Sequence, residues 1–203
     1  MNWLECLHAG AIHERRARVL GAEIARLIPA NASVLDVGCG DGFLGRKLMD
    51  QRPDISLMGI DTLKRPHARI PIAEYDGKKI PHLNRSYDVV MFVDVLHHTS
   101  DPAALLREAA RVSRFSVIIK DHLCRNRLSY RLLRFMDDVG NRRHGVELLY
   151  NYWSKEQWLE AFDSLGFQTY AWKEKLKLYP PLVDSLFGES LHFMAALSIS
   201  SSK

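Results

Sequence analysis

The sequence predicts an α/β protein: a doubly wound, mostly parallel seven-stranded sheet with helices on both faces and a helical insertion after the fifth strand. Three observations lead there. Short β-branched runs alternate with helical periodicities, the pattern of strands joined by right-handed crossovers. The run Ser33-Val34-Leu35-Asp36-Val37 flows directly into a glycine cluster, and ligands of such sheets bind at the carboxyl ends of strands. The 203 residues are 47% apolar and 26% charged, an ordinary globular balance with enough apolar material for a sizeable core.

The elements follow in order. Apolar positions 12, 19, 20, 24, 27 and 28 recur at helical spacing before Pro29, so the first helix is expected over Ile12 to Ile28. Strand one is Ser33 to Val37, and Phe43 to Met49 reads as a helix. Ile55 to Ile60, Ile70 to Ala73 and Tyr87 to Val93 are the next apolar runs. Asp101-Pro102 opens a helix, with Asp as N-cap and Pro in the first helical position; Leu105, Leu106, Ala109 and Val112 form its apolar face. Phe115 to Ile119 is strand five. Ser154 to Gln157 is a capping box leading into Trp158, Leu159, Phe162 and Leu165, with Gly166 as terminator. Phe167 to Trp172 and His192 to Ile199 are the last two strands.

Lys+Arg outnumber Asp+Glu by 28 to 24, a net charge of +4, and the pI is about 9.0. This excess permits an anionic partner without demanding a nucleic-acid surface. Cys6, Cys39 and Cys124 lie far apart with no CxxC pair, which fits reduced thiols and excludes a thiolate zinc cage. No apolar run approaches the roughly 18 to 20 residues that span a bilayer, and MNWLECLHAG has no basic and apolar leader pattern. The expectation is one cytoplasmic domain over residues 1–203, with 122–153 as a lid-like insertion.

The most informative stretch is Asp36-Val37-Gly38-Cys39-Gly40-Asp41-Gly42. Three alternating glycines after a strand let backbone approach a ligand without Cβ obstruction. The spacing is GxGxG rather than the dinucleotide GxGxxG, and no GK[ST] follows. Asp36 and Asp41 flank the loop and would repel a pyrophosphate; they suit a ligand carrying positive charge and hydroxyls.

With these residues the sequence resembles the class I S-adenosylmethionine-dependent methyltransferases, and is similar to the type 11 methyltransferase-domain family. Asp36 to Gly42 looks like that family's first motif. The resemblance implies that Asp36, Gly38, Cys39, Gly40 and Gly42 hold the cofactor's aminoacyl and ribose parts. Asp61, followed by Thr62, stands where the family places an acid on the ribose hydroxyls; a carboxylate can accept from both hydroxyls of a diol. Asp76-Gly77 matches the site of the adenine contact. Ser86 to Val90 followed by Asp94-Val95-Leu96-His97-His98 resembles the fourth-strand motif, with Asp94 on the cofactor side. S-adenosylhomocysteine is then the product.

Methyl transfer needs alignment, dryness and, for a hydroxyl acceptor, a base. The candidates are His97 and His98 after strand four, and Asp121 and His122 at the end of strand five. Lys120 reads as a salt-bridge partner. Adjacent side chains seldom converge on one ion, so no metal is expected.

In the insertion, Leu128, Leu132, Phe135, Met136 and Val139 recur at helical spacing and predict an amphipathic helix with its basic face solvated or, as a lid, turned to a substrate. Arg125, Arg127, Arg131, Arg134, Arg142 and Arg143 lie among Asp137, Asp138 and Glu147. Arginines on a lid suit an anionic group on a substrate, and the aromatic, polar stretch His144 to Trp153 suits a small polar molecule. The leading reading is methyl transfer to a small-molecule acceptor at oxygen. The alternatives are an RNA methyltransferase, disfavoured by the absence of a base-methylating Pro-Pro-aromatic motif after strand four, and a non-catalytic cofactor-binding protein.

Overall fold

The computed structural model describes residues 3–63, 65–141, 148–181, 184 and 191–199. Seven strands form one sheet in the order β3-β2-β1-β4-β5-β7-β6. They are β1 (Ser33–Val37), β2 (Ser56–Asp61), β3 (Ile72–Glu74), β4 (Tyr87–Val93), β5 (Ser113–His122), β6 (Phe167–Lys173) and β7 (His192–Ile199). All pairings are parallel except those of β7, which runs antiparallel to both β5 and β6. The helices are α1 (Trp3–Ala25), α2 (Phe43–Gln51), α3 (Pro102–Val112), α4 (Arg127–Asn141) and α5 (Lys155–Ser164).

Side-chain alternation along the strands builds two core layers. Val34, Val89, Met91 and Ile118 face α1 and α2, packing with Leu20, Ile24 and Leu48. Leu35, Val90, Phe92, Val117 and Ile119 face the other way, onto Leu105, Leu106, Ala109, Trp158 and Phe162. Each of the large side chains buried this way stabilises the fold by about 1.5–3 kcal/mol. Because the parallel strands share one direction, β1, β2, β4 and β5 deliver their carboxyl ends to one edge. That edge carries the Asp36 to Gly42 loop, Asp61, Asp94, His97, His98, Asp121 and His122.

Helix ends follow the expected chemistry. Asp101 accepts from the Ala104 N–H at 2.9 Å, and Ser154 and Gln157 bond each other's backbone N–H reciprocally. Two elements differ most from the sequence reading. Helix α1 begins at Trp3, ahead of Ile12, and ends at Ala25. Strand β5 runs on past Ile119 to His122, because Lys120, Asp121 and His122 pair with Met194, Phe193 and His192 of β7.

The insertion helix α4 corrects a further expectation. Leu128, Phe135 and Val139 are exposed, at 74%, 61% and 66%, whereas Ser129, Leu133 and Asp137 are buried. Leu132 and Met136 are half-buried beside the small cluster of Leu133, Tyr152 and Leu191. The surface beneath α4 presents polar groups, among them His97 and Tyr152, so the helix turns Asp137 toward them. Arg127, Arg131 and Arg134 are exposed, and the Arg134 guanidinium lies 4.7 Å over the Tyr150 ring. Arg142, Arg143 and residues His144 to Glu147 lie outside the described residues. Among the described residues no helix is long and apolar enough to cross a membrane.

Candidate active site

The loop after β1 turns through positive φ at Gly38 (+73°) and Gly40 (+61°). A Cβ on Gly38 would lie 2.5 Å from Val95 Cγ2, so packing alone requires glycine there. On Gly40 a Cβ would meet nothing within 4 Å. The two glycines thus serve different ends: one lets the loop pack on the β4 turn, the other leaves a bare edge of backbone facing open space.

Asp61, at the end of β2, ties that edge in place. Its Oδ2 accepts from the Gly40 N–H at 2.8 Å and its Oδ1 from the Leu63 N–H at 2.9 Å. Each carboxylate oxygen keeps a lone pair for a further donor. Asp76, after β3, accepts from the Lys78 and Lys79 N–H groups through Oδ1, both at 2.8 Å. Its second oxygen has no partner among the described residues. Gly77 turns beside Thr62, where a Cβ would come 3.0 Å from the Thr62 methyl. Cys39 packs under the loop against Gly59; burial, then Asp36 and Asp61, pushes its thiol well up, so the sulfur is not a nucleophile.

Asp36 is 3% exposed. Burial, and then the Asp61 charge, pushes its carboxyl up to about 7. A pair of carboxylates in this state favours a cationic ligand with hydroxyl groups. S-adenosylmethionine, with its sulfonium, α-ammonium and ribose diol, fits that donor set and the open edge at Gly40.

The raised acid has a measurable consequence. An acid whose folded pKa exceeds its unfolded value of about 4 binds more protons when folded, so its contribution declines as pH rises from about 4 to 7. Asp36→Asn is expected to remove this decline. The stability difference between variant and wild type, read by urea titration without cofactor, should grow in the variant's favour across that window and level off above pH 7. A constant difference would place an ordinary carboxylate at Asp36.

Beyond β4 and β5 the edge is built from buried charges. Asp94 adopts φ +58° directly after β4, a conformation Asp tolerates better than most residues. Its carboxylate accepts from Arg16 of α1 at 2.8 Å and from the fully buried ammonium of Lys120. Lys120 Nζ also lies 3.2 Å from His192 Nδ1. Burial pushes the Asp94 carboxyl up, but Lys120 and Arg16 outweigh it and hold the group well below the usual range. The sequence reading gave Asp94 to the cofactor side; its carboxylate is also the counter-ion of two cations.

Asp121 clamps the turn after β4. Its Oδ1 accepts from His97 Nδ1 at 2.6 Å and the His122 N–H at 2.7 Å, and its Oδ2 from the Leu96 N–H at 2.9 Å. His97 Nε2 lies 3.3 Å from Asp137 Oδ2 of α4, and the Tyr152 hydroxyl donates to the same oxygen. Burial opposes a charge on His97, but Asp121 and Asp137 prevail and push its pKa up to about 10. His122 is buried and pushed down by burial and by His97.

His98 alone of the four catalytic candidates keeps more than a trace of accessible surface. Burial, then the His97 charge, pushes its pKa down to about 4, so its imidazole is neutral at pH 7. Its Nδ1 is buried and has no hydrogen-bond partner among the described residues.

Sequence reasoning had brought His97, His98, Asp121 and His122 to one edge, and the structure does gather them. It missed Arg16, Asp137, Tyr152 and His192. No local signal marks Arg16 or His192. Asp137 was visible as an acid one turn from Leu133, but the apolar stripe of α4 pointed elsewhere.

The model of the methyltransferase domain family matches residues 12–171. The 27-O-demethylrifamycin SV methyltransferase of Amycolatopsis mediterranei is 29% identical over 133 residues, covering 55% of this chain and 48% of that protein. The ubiquinone biosynthesis O-methyltransferase of Aliivibrio fischeri is 33% identical over 92 residues, 39% of this chain and 38% of that protein. The chain thus spans half or less of the length of these relatives. In fold it is similar to an S-adenosylmethionine-dependent methyltransferase from Mesorhizobium loti, with a TM-score of 0.63, 17% identity, and coverage of 87% of this chain and 96% of that one.

Proposed function

The chain belongs to the methyltransferase domain family, of the class I S-adenosylmethionine-dependent type, and from that premise we propose that it methylates an oxygen of a small-molecule acceptor. The observation that carries the cofactor half is the Asp61–Gly40 hydrogen bond, which holds an unobstructed backbone edge beside two buried carboxylates. Asp36, Gly38, Cys39, Gly40 and Gly42 would form the loop around the cofactor, Asp61 and Thr62 its ribose side, and Asp76 and Gly77 its adenine side. Bound there, S-adenosylmethionine supplies an electrophilic methyl group for in-line displacement.

The chain's own residues supply orientation, charge and a proton acceptor. Asp94 acts through position: its bonds to Arg16 and Lys120 lock α1 and β5 to the turn that carries His98. His97 and Asp121 hold that turn rigid. His98, neutral and half-buried, can take the acceptor's hydroxyl proton through Nε2, since its Nδ1 is buried. The exposed arginines of α4 suit an acceptor with an anionic group. Transfer to oxygen is supported by the likeness to the rifamycin and ubiquinone O-methyltransferases. Three sparse cysteines with no CxxC pair, Cys39 and Cys124 free, support a cytoplasmic setting.

The test is production of S-adenosylhomocysteine from S-adenosylmethionine with a panel of phenols, sugar derivatives and hydroxylated polyketides, with tRNA in a parallel arm. Turnover with a hydroxyl compound supports the reading. Methylation of tRNA alone would replace it with the RNA reading, and cofactor binding without turnover on any acceptor favours a non-catalytic binding protein. With an accepted substrate, His98→Gln is expected to lower kcat at least about tenfold and leave cofactor affinity unchanged. Asp61→Ala should weaken S-adenosylhomocysteine binding by about 1.5–3 kcal/mol, the range for hydrogen bonds to a charged group. Calorimetry showing unchanged affinity would remove Asp61 from the ribose side.

A further inference from the structure

Three atoms of metal-ligand type meet at the carboxyl ends of β4 and β5. His97 Nδ1 lies 2.6 Å from Asp121 Oδ1 and 3.3 Å from His122 Nδ1, and His122 Nδ1 lies 3.4 Å from that same carboxylate oxygen. All three side chains are buried. We propose that His97, Asp121 and His122 bind one divalent transition-metal cation, zinc or an ion of similar ligand preference.

The spacing fits such an ion. Donors about 2.0–2.1 Å from a tetrahedral centre lie about 3.3–3.4 Å apart, which matches two sides of the triangle. The 2.6 Å side is the hydrogen bond that closes the space without an ion, and opening it by less than an ångström completes the set. Spacing along the chain argued against convergence of the neighbours Asp121 and His122. They converge because Asp121 bends back over its own strand to accept from the His122 N–H, which brings its Oδ1 toward the His122 ring.

Hydrogen bonding alone serves this cluster poorly. Two imidazole nitrogens face one carboxylate oxygen, and His97 is the one at hydrogen-bonding distance. His97 Nε2 is buried without an aligned partner, although Asp137 Oδ2 is 3.3 Å away. A cation on Nδ1 leaves the ring proton on Nε2, beside Asp137, in the carboxylate–histidine–metal arrangement that orients ligating imidazoles.

Two imidazoles and one carboxylate favour zinc and its first-row neighbours over magnesium or calcium, which prefer all-oxygen shells. Three protein ligands leave a position for a further ligand, the pattern of catalytic rather than structural zinc. Its use there, lowering the pKa of a coordinated acceptor hydroxyl, rests on the oxygen-transfer reading; the binding proposal does not.

The experiment titrates chelator-treated protein with Co²⁺, reading visible ligand-field absorption and the thermal midpoint, while S-adenosylhomocysteine binding is measured in parallel. The expected result is one equivalent bound, displacement by Zn²⁺, and a midpoint that rises with free metal. His97→Gln and His122→Gln should each lose the absorption yet still bind S-adenosylhomocysteine. Absence of both absorption and midpoint shift in the wild type overturns the proposal, as does metal binding that survives both substitutions. If the variants do not fold, the wild-type titration decides alone. Metal binding without S-adenosylhomocysteine binding would sink the cofactor reading and leave the metal site standing.

Discussion

Asp94→Ala is expected to lower the unfolding free energy by about 3–5 kcal/mol, the cost of breaking a buried ion pair from one side. The loss arises at Lys120, whose side chain has no exposed surface and would be left buried without its counter-ion. Arg16 loses its partner as well, but its side chain is 31% exposed and water can replace much of that contact. Asp94→Ala combined with Lys120→Met should recover a good part of the stability, since the apolar chain of methionine needs no partner. Urea or guanidinium titration reads both. A single variant within 1 kcal/mol of wild type would show that the triad does not hold the edge together. Acid should produce a milder version of the same effect. The Asp94 carboxyl is held well below its usual range, so its contribution is complete above the unfolded pKa of about 3.9 and is lost as pH falls below it.

Gly40→Val is expected to leave a folded protein that no longer retains S-adenosylhomocysteine. The fold tolerates the new Cβ, which meets no neighbour within 4 Å, at a strain of about 1–2 kcal/mol for an L-residue at positive φ. The ligand does not tolerate it, because the branched side chain fills the edge that Asp61 holds open. Circular dichroism with calorimetric titration separates the two effects. Gly38→Ala is the contrasting control. There the Cβ would strike Val95, so stability as well as binding should fall. Wild-type affinity in Gly40→Val would show that the cofactor lies elsewhere.

The polar cluster has a cost in legibility. Strand β5 looked finished at Ile119 because hydrophobic alternation stops there, yet the strand continues for three more residues. Lys120, Asp121 and His122 pair with β7, and Asp94, Arg16, His97 and His192 satisfy their side chains. Those partners are separated by as many as 176 positions, from Arg16 to His192.

Local chemistry was legible from the sequence by itself. The strand-to-glycine turn at Val37-Gly38, the Asp101 cap, the Ser154 capping box and the acids closing β1 and β2 each depend on residues a few positions apart. Near-neighbour sterics and backbone hydrogen bonding decide such features, and the alternation of strands and helices then decides the topology. Tertiary structure alone decided which face of α4 turns inward and which of four candidate groups stays accessible. Apolar periodicity predicts the inward face only when the surface beneath is apolar. Here that surface carries His97 and Tyr152, and a buried charge left without a partner costs more than the exposure of Leu128, Phe135 and Val139. The helix therefore spends its buried side on Asp137.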